Sequence, residues 1–295
     1  MLVLLSTFDG EAHLGAQLDS LARQEGVDWR LLVRDDGSSD GTPALLDGFA
    51  AAHPGRVRRL PGGERLGALP SFTALLRAAE GGDAYAFMDQ DDVWLPGKLA
   101  RAARLLSEGR EAVCGRLRLV DSGLNPLGFS AVPSVPPRFA SLLAHNVAAG
   151  CTMAMSPRGR DMALAAPPPP GTMHDWWCAL LVTGQGGRLL FDEEPCMLYR
   201  LHGANQVGGA ASLPSRALRA LRGGRPDGLR LLRSHLRGLE GVVLSPEAGE
   251  AAAKLRRMAE VGPAERLRLR REAGFRHHAA LGDALLTLWL LVAPP

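Results

Sequence analysis

Short apolar runs alternate with helix-period patterns from the first residue onward. Leu2 to Ser6 reads as a buried strand, and Leu14, Leu18 and Leu21 then recur at the spacing of one helix face. Trp29 to Val33 is a second run of strand length. Thr42-Pro43 opens a helix through Leu45, Leu46 and Phe49, Arg56 to Leu60 is extended, Phe72 to Ala79 is helical, and Ala84 to Met88 is the next strand. Such alternation predicts an α/β fold with parallel strands and helices on both faces of the sheet.

After a helix over Lys98 to Leu106 the pattern becomes mixed. Ala112 to Val120 is extended, Asn125-Pro126 is a turn, a proline-broken stretch follows to Pro137, and Ala148 to Ser156 is extended and rich in small residues. Pro167 to Pro170 form a stiff link into an apolar helical run from Met173 to Val182. Residues 188 to 200 read as two short strands, and from Pro214 the pattern is helical and Arg-rich, broken at Gly223-Gly224 and Ser245-Pro246.

Composition sharpens this picture only in places. At 295 residues, 46% hydrophobic and 22% charged, the chain can bury a substantial core and is not disordered. Residues 1 to 212 hold 19 basic and 23 acidic side chains, a net of −4, whereas residues 213 to 280 hold 15 and 7, a net of +8. The predicted organisation is therefore a domain over 1–212 and a basic helical extension over 213–295. Cys114, Cys151, Cys178 and Cys196 have neither metal-finger spacing nor a compact disulfide pattern, which predicts buried thiols in a reducing cytoplasm. Met1 to Leu5 lacks a basic n-region and a long apolar core, so no signal peptide is expected. The apolar stretch from Ala284 to Ala293 is well short of the roughly 20 residues that span a bilayer. With the basic stretch before it, that tail predicts either peripheral contact with the cytoplasmic face of an anionic membrane or a helical pack or oligomer contact. No nucleic-acid partner is expected.

The chemistry concentrates in two acidic clusters. Asp89-Gln90-Asp91-Asp92 crowds three carboxylates at the end of the Ala84 to Met88 run, and Asp35-Asp36-Gly37-Ser38-Ser39-Asp40 follows Trp29 to Val33. Like charges a few ångströms apart raise one another's pKa, so a cluster ionised at neutral pH calls for a cation, and all-oxygen ligands suit Mg2+ or Mn2+. Standing alone, the same acids read equally well as solvated groups or as a cap, with Asp92 preceding Leu95-Pro96. In open sheets of this type ligands sit beyond the carboxyl ends of the strands, so Ser6 to Asp9, Asp35 to Asp40 and Asp89 to Asp92 should share one crevice. No GxGxxG or GxxxxGK[ST] loop lies near them, which disfavours a dinucleotide fold or a P-loop.

Five separated blocks resemble the family 2 glycosyltransferases, and among them the rhamnosyltransferase-like branch. They are Ser6-Thr7-Phe8-Asp9-Gly10, Arg34 to Asp40, Phe87 to Trp94, His174-Asp175-Trp176-Trp177, and Tyr199-Arg200-Leu201-His202-Gly203-Ala204-Asn205. The resemblance covers residues 1 to about 210. It implies a GT-A fold, the nucleotide-diphospho-sugar transferase fold, with a mostly parallel sheet, and an inverting enzyme that moves a sugar from dTDP-rhamnose or a UDP-sugar to a glycan or lipid-linked acceptor.

The resemblance also implies residue roles. Thr7 and Asp9 would line the nucleotide pocket, Asp36 would contact base or ribose, and Asp89 and Asp91 would form the metal–diphosphate pair with Asp91 as direct ligand. Asp175 would occupy the position of the catalytic base, and His202 would reach the metal or diphosphate. Other readings of the same residues stay open. Asp175 is also placed as an N-terminal helix acid favoured by the helix dipole, Trp176 and Trp177 serve as core or as an acceptor platform, His202 as ligand or loop residue, and Arg200 as a phosphate or carboxylate partner. Phe8-Asp9 departs from the more usual Tyr-Asn, and Arg65 stands before Leu66-Gly67 where Asn is common.

Two other functions compete. Asp36 to Gly41 with Asp47 imitates a calcium loop of the EF-hand type, but a helix should precede such a loop and Leu31-Leu32-Val33 is a β-type run. A metal-dependent phosphohydrolase or nucleotidyltransferase could use the same acids, with water or a nucleotide as acceptor.

Overall fold

The computed structural model describes residues 1–201, 230–258 and 260–292. The first half alternates as the apolar pattern predicts: β1 (Leu2–Thr7), α1 (Glu11–Ala22), β2 (Arg30–Asp35), α2 (Thr42–Ala52), β3 (Val57–Arg59), α3 (Ala68–Ala78) and β4 (Tyr85–Met88). Then come β5 (Val93–Trp94), α4 (Lys98–Ser107), β6 (Ala112–Gly115), β7 (Arg118–Val120), β8 (Pro126–Phe129) and α5 (Phe139–Ala144). A 3-10 turn over Gly150–Thr152 leads into β9 (Ala154–Met155), α6 (Pro157–Ala163), α7 (His174–Gly184), β10 (Leu189–Asp192) and β11 (Met197–Arg200). Helix α8 covers 230–238, and α9 (Pro246–Arg257), α10 (Pro263–Ala273) and α11 (Ala280–Val292) complete the described chain.

The main sheet has seven strands in the order β10-β6-β9-β4-β1-β2-β3, and a smaller sheet runs β5-β11-β7-β8. Pairings β1–β2, β1–β4, β2–β3 and β6–β10 are parallel, while β9 runs antiparallel between β4 and β6. The period-2 geometry of a strand sends alternate side chains to opposite faces. Leu2 and Leu4 of β1 accordingly enter one core with Phe72, Leu75 and Leu180, whereas Val3 and Leu5 enter another with Leu14, Leu18, Leu46 and Leu99. Helices α1, α2 and α4 cover the second face, and α3, α5 and α7 the first.

Two expected strands turn out differently. The single extended run Ala112 to Val120 divides between sheets, β6 joining the large one and β7 the small one. Ala148 to Ser156 begins as the 3-10 turn and becomes a strand for only two residues. Both outcomes depend on pairing partners distant in sequence, which local pattern does not encode.

The C-terminal helices are built onto the first core: Leu232, Leu236, Ala252, Leu255 and Phe275 belong to the same buried cluster as Leu4 and Leu180. Among the described residues no helix is long and apolar enough to cross a membrane. Cys114, Cys151, Cys178 and Cys196 are free thiols.

Candidate active site

β1, β2 and β4 lie side by side and parallel, with Thr7 opposite Asp35 and Leu5 opposite Met88, so the segments that follow them emerge at one edge of the sheet. Thr7 is buried, and its hydroxyl donates to Asp35 Oδ1 at 2.8 Å. Asp35 also accepts from the Ser38 N–H and hydroxyl, at 2.9 and 2.6 Å, and so shapes the turn after β2. Asp9 is exposed, accepts from the Ser39 N–H at 2.8 Å, and sits at φ 42°, a left-handed conformation that Asp and Asn tolerate better than most residues. Gln90 clamps the neighbouring backbone at two points: Phe8 N–H donates to its Oε1 at 2.8 Å, and its Nε2 donates to Phe8 O at 2.9 Å. Gly10 leaves room for this clamp, since a Cβ there would stand 2.5 Å from Gln90 Oε1 and push the amide aside.

Asp36, expected at the base or ribose, has both carboxylate oxygens engaged within the protein. Its side chain is buried, with Oδ1 accepting from the Arg34 guanidinium, the Ser71 hydroxyl at 3.1 Å and the Leu66 N–H at 2.7 Å. Oδ2 takes the Gly67 N–H at 2.7 Å. Burial opposes the charge, but the Leu66 N–H, Arg34, the Gly67 N–H and Ser71 outweigh it and hold the carboxyl below its ordinary value. Gly67, at φ 86°, makes the turn that aims this N–H before α3 begins. Just ahead of it the Arg65 guanidinium lies 3.9 Å over the Phe8 ring, so the two departures from the family pattern touch one another.

Three aspartates crowd the end of β4, and a fourth approaches from α7. Asp89 is half-buried, and its pKa rises to about 7, from burial first and then from the negative charges of Asp91 and Asp175. Asp92 is fully buried and shifted upward as well, by burial and by Asp89 and Asp91. It does not cap α4, whose N-cap is Gly97 with no side-chain cap. Instead Asp92 Oδ1 accepts the Arg200 N–H at 3.1 Å, while Oδ2 is buried without a hydrogen-bond partner. Ligand atoms of Asp89, Asp92 and Cys151 lie within 4.8 Å of one another. Two carboxylates and a thiol converge there, one buried carboxylate oxygen is unsatisfied, and the repulsion among Asp89, Asp91 and Asp92 is of the kind a hard dication relieves through the carboxylates.

Asp175 lies at the start of α7 and is 6% exposed. It accepts from Trp176 N–H at 2.6 Å, Gly150 N–H at 2.8 Å and Asn146 Nδ2 at 3.3 Å. Burial nevertheless raises its pKa to about 6. Its neighbour His174 is wedged between Phe72 and Phe87, with ring centroids 4.1 and 4.8 Å away, and burial lowers its pKa to about 3, so it packs as a neutral ring.

The two tryptophans separate. Trp177 is 2% exposed, with Nε1 bonded to Ala166 O at 3.0 Å, and belongs to the core; no face is left for an acceptor. Trp176 is partly exposed and anchored through Nε1 to Leu142 O at 2.7 Å. Arg200 is 4% exposed and turned inward as a brace, its Nε donating to Asp91 O at 2.9 Å and its Nη1 to Ser122 O. His202 lies outside the described residues. Gln90, Asp35 and Asn146 carry contacts that were not foreseen; for Gln90 and Asp35 the available signal was adjacency to the acids, and for Asn146 there was none.

A family model described as glycosyl transferase family 2 matches residues 2–156. The chain belongs to this family. It is 25% identical over 241 residues to a dTDP-rhamnosyl transferase, RfbG, of Shigella flexneri, an alignment covering 72% of this chain and 76% of that protein. It is 31% identical over 97 residues to WfgD of Escherichia coli, named as a UDP-Glc:α-D-GlcNAc-diphosphoundecaprenol β-1,3-glucosyltransferase, covering 33% and 37%. Among solved structures, TarS residues 1–349 of S. aureus in complex with UDP-GlcNAc superposes with TM-score 0.61 at 16% identity, covering 96% of this chain and 83% of that one. The mannosyltransferase PcManGT of Pyrobaculum calidifontis, in complex with GDP-Man and Mn2+, gives 0.53 at 18% identity, covering 98% and 86%. The fold is thus the GT-A glycosyltransferase fold, and the protein is a glycosyltransferase.

Proposed function

We propose that this glycosyltransferase inverts the sugar it transfers, with Asp175 as general base, and that it takes dTDP-rhamnose or a UDP-sugar to a glycan or lipid-linked acceptor. One observation carries the reading: a carboxylate of pKa about 6 sits on α7, apart from the acids at the end of β4 yet close enough to raise the pKa of Asp89. An acceptor hydroxyl must lose its proton as it attacks the anomeric carbon, and a base works best when its pKa lies near the working pH. The hydrogen bonds from Trp176 N–H, Gly150 N–H and Asn146 fix where Asp175 presents its oxygens.

Asp91 and Asp89 would hold Mg2+ or Mn2+, with Asp89 in support and His202 as a further ligand from the segment after β11. Bound there, the cation neutralises charge developing on the leaving nucleoside diphosphate. Thr7 and Asp9 line the nucleotide side of the crevice, and the Arg65–Phe8 stack supports a role for that pair beside the base. Trp176 is the aromatic group left to face an acceptor sugar. The RfbG alignment favours a dTDP-rhamnose donor, and WfgD favours a lipid-diphosphate acceptor.

The test is a panel of nucleotide-sugars with Mn2+, read by donor binding and by glycoside formation. Asp91→Asn should abolish metal-dependent donor binding. Asp175→Asn should keep it and lose transfer by roughly the 10²–10⁴-fold that general base catalysis supplies. Wild-type turnover should fall as pH drops through about 6, where Asp175 takes up a proton. Near-normal turnover by Asp175→Asn would remove the base assignment, and phosphoester cleavage without a sugar acceptor would favour a phosphohydrolase.

A further inference from the structure

Away from the crevice, three histidines from distant parts of the chain meet. His145 ends α5, and His277 and His278 join α10 to α11. Their ring centroids lie 4.4 Å (His145–His277), 4.1 Å (His145–His278) and 4.5 Å (His277–His278) apart. One ligand nitrogen from each falls within 4.8 Å of the other two. All three are partly buried, and His278 Nδ1 is buried with no hydrogen-bond partner.

Packing three imidazoles on one another is unfavourable if any is cationic. Burial, followed by the neighbouring His278 and His277, lowers the pKa of His145 to about 3; burial lowers His277 and His278 as well. Imidazole donates a lone pair to a metal in its neutral form, and the buried His278 Nδ1 has no hydrogen-bond partner competing for it. The backbone around it is also held in place. Ser134 N–H and its hydroxyl both donate to His278 O, and His277 N–H donates to Asp283 Oδ1 at 2.8 Å, an oxygen that also accepts from Arg270. One bond opposes coordination: Ala279 N–H donates to His277 Nδ1 at 3.0 Å. Coordination through that ring would give up this single neutral hydrogen bond, a small loss against three metal–nitrogen bonds.

We propose that His145, His277 and His278 form a second metal centre, binding one Zn2+ ion through three imidazole nitrogens with water in the fourth position. Nitrogen ligands select a borderline transition cation of this kind, whereas the carboxylates at β4 suit a hard one. The ion would pin the α10–α11 junction to the end of α5, next to Asn146, whose amide reaches Asp175. The centre does not depend on the donor or on the base assignment.

The experiment uses the full chain without a polyhistidine tag, stripped with chelator and titrated with Zn2+ against a chromophoric competitor in excess Mg2+, which occupies the oxygen site. Wild type and Asp91→Asn should each bind one equivalent. His145→Gln and His278→Gln should each weaken binding by more than the roughly 10–100-fold that loss of an outer-shell partner costs. Zn2+ should raise the melting temperature of the wild type and leave both variants unmoved, and Co2+ should show the visible spectrum of a low-coordinate nitrogen site only in the wild type and Asp91→Asn. Circular dichroism matching the wild type certifies each variant as folded, with His145→Asn as the replacement for any that is not. No binding under excess Mg2+, undiminished binding in the folded histidine variants, or loss confined to Asp91→Asn would each overturn the proposal.

Discussion

Replacing Asp89 with Asn should stabilise the metal-free protein at neutral pH, and the gain has a defined course with pH. The Asp89 carboxyl is displaced from the ordinary 3.8 to about 7, by burial and then by Asp91 and Asp175. A raised carboxyl pKa means that the folded chain binds a proton more readily than the unfolded one, so stability falls as pH rises. The penalty is absent below about pH 4, where both states are protonated, accumulates through the interval, and is complete above about pH 7. At about 1.4 kcal/mol per pH unit, the displacement corresponds to about 4 kcal/mol as an upper bound. Partial solvent access and the sharing of repulsion among the acids reduce the expected gain to about 1–2 kcal/mol.

Asn keeps the shape of the side chain and removes only its charge. Urea unfolding of wild type and Asp89→Asn in chelator, from pH 4.5 to 8, measures the difference directly. The two midpoints should nearly coincide at the acid end and separate steadily in favour of Asp89→Asn. Mn2+ should then raise the wild-type midpoint at pH 8 and do little for the variant. Equal stability across the range in chelator, or a wild type that gains on the variant with rising pH, would refute the claim that this cluster is a set of repelling charges awaiting a cation.

Two further outcomes can be checked. Asp36→Asn leaves the buried Arg34 guanidinium without its counter-charge and should cost about 3–5 kcal/mol of stability, readable as an earlier denaturation midpoint; a loss confined to donor binding would instead restore Asp36 to the nucleotide site. Helix α11, which follows the basic stretch in sequence, exposes Leu281, Leu288, Leu291 and Val292, and we propose it as a peripheral contact with anionic membrane. Vesicles containing anionic lipid should sediment with the full chain, and binding unchanged by removal of residues 281 to 295 would exclude α11 as the contact.

The alternation of apolar runs was sufficient to read the sheet and its two helical layers. Leu2 to Met88 carry residues that must be buried on both sides of a strand, and that demand is local. The acid clusters at the ends of β2 and β4 were equally legible, since a strand that ends in carboxylates announces a polar edge. What each acid does was not. Asp35 and Asp36 are adjacent in sequence and face different partners: one takes Thr7 and Ser38, the other Arg34, Ser71, Leu66 and Gly67. Asp91 and Asp92 diverge in the same way, because the fully buried Asp92 turns toward β11.

Sequence by itself determined the α/β class, the family blocks and the acidic edge at the carboxyl ends of the strands, because period, turn residues and charge density are properties of neighbouring residues. Tertiary structure alone decided which carboxylates are spent on the fold, that Trp177 and Arg200 face inward, and that His145 meets His277 and His278 across more than 130 intervening positions. Hydrogen-bond partners and burial are set by segments far apart in the chain, and no local pattern records them.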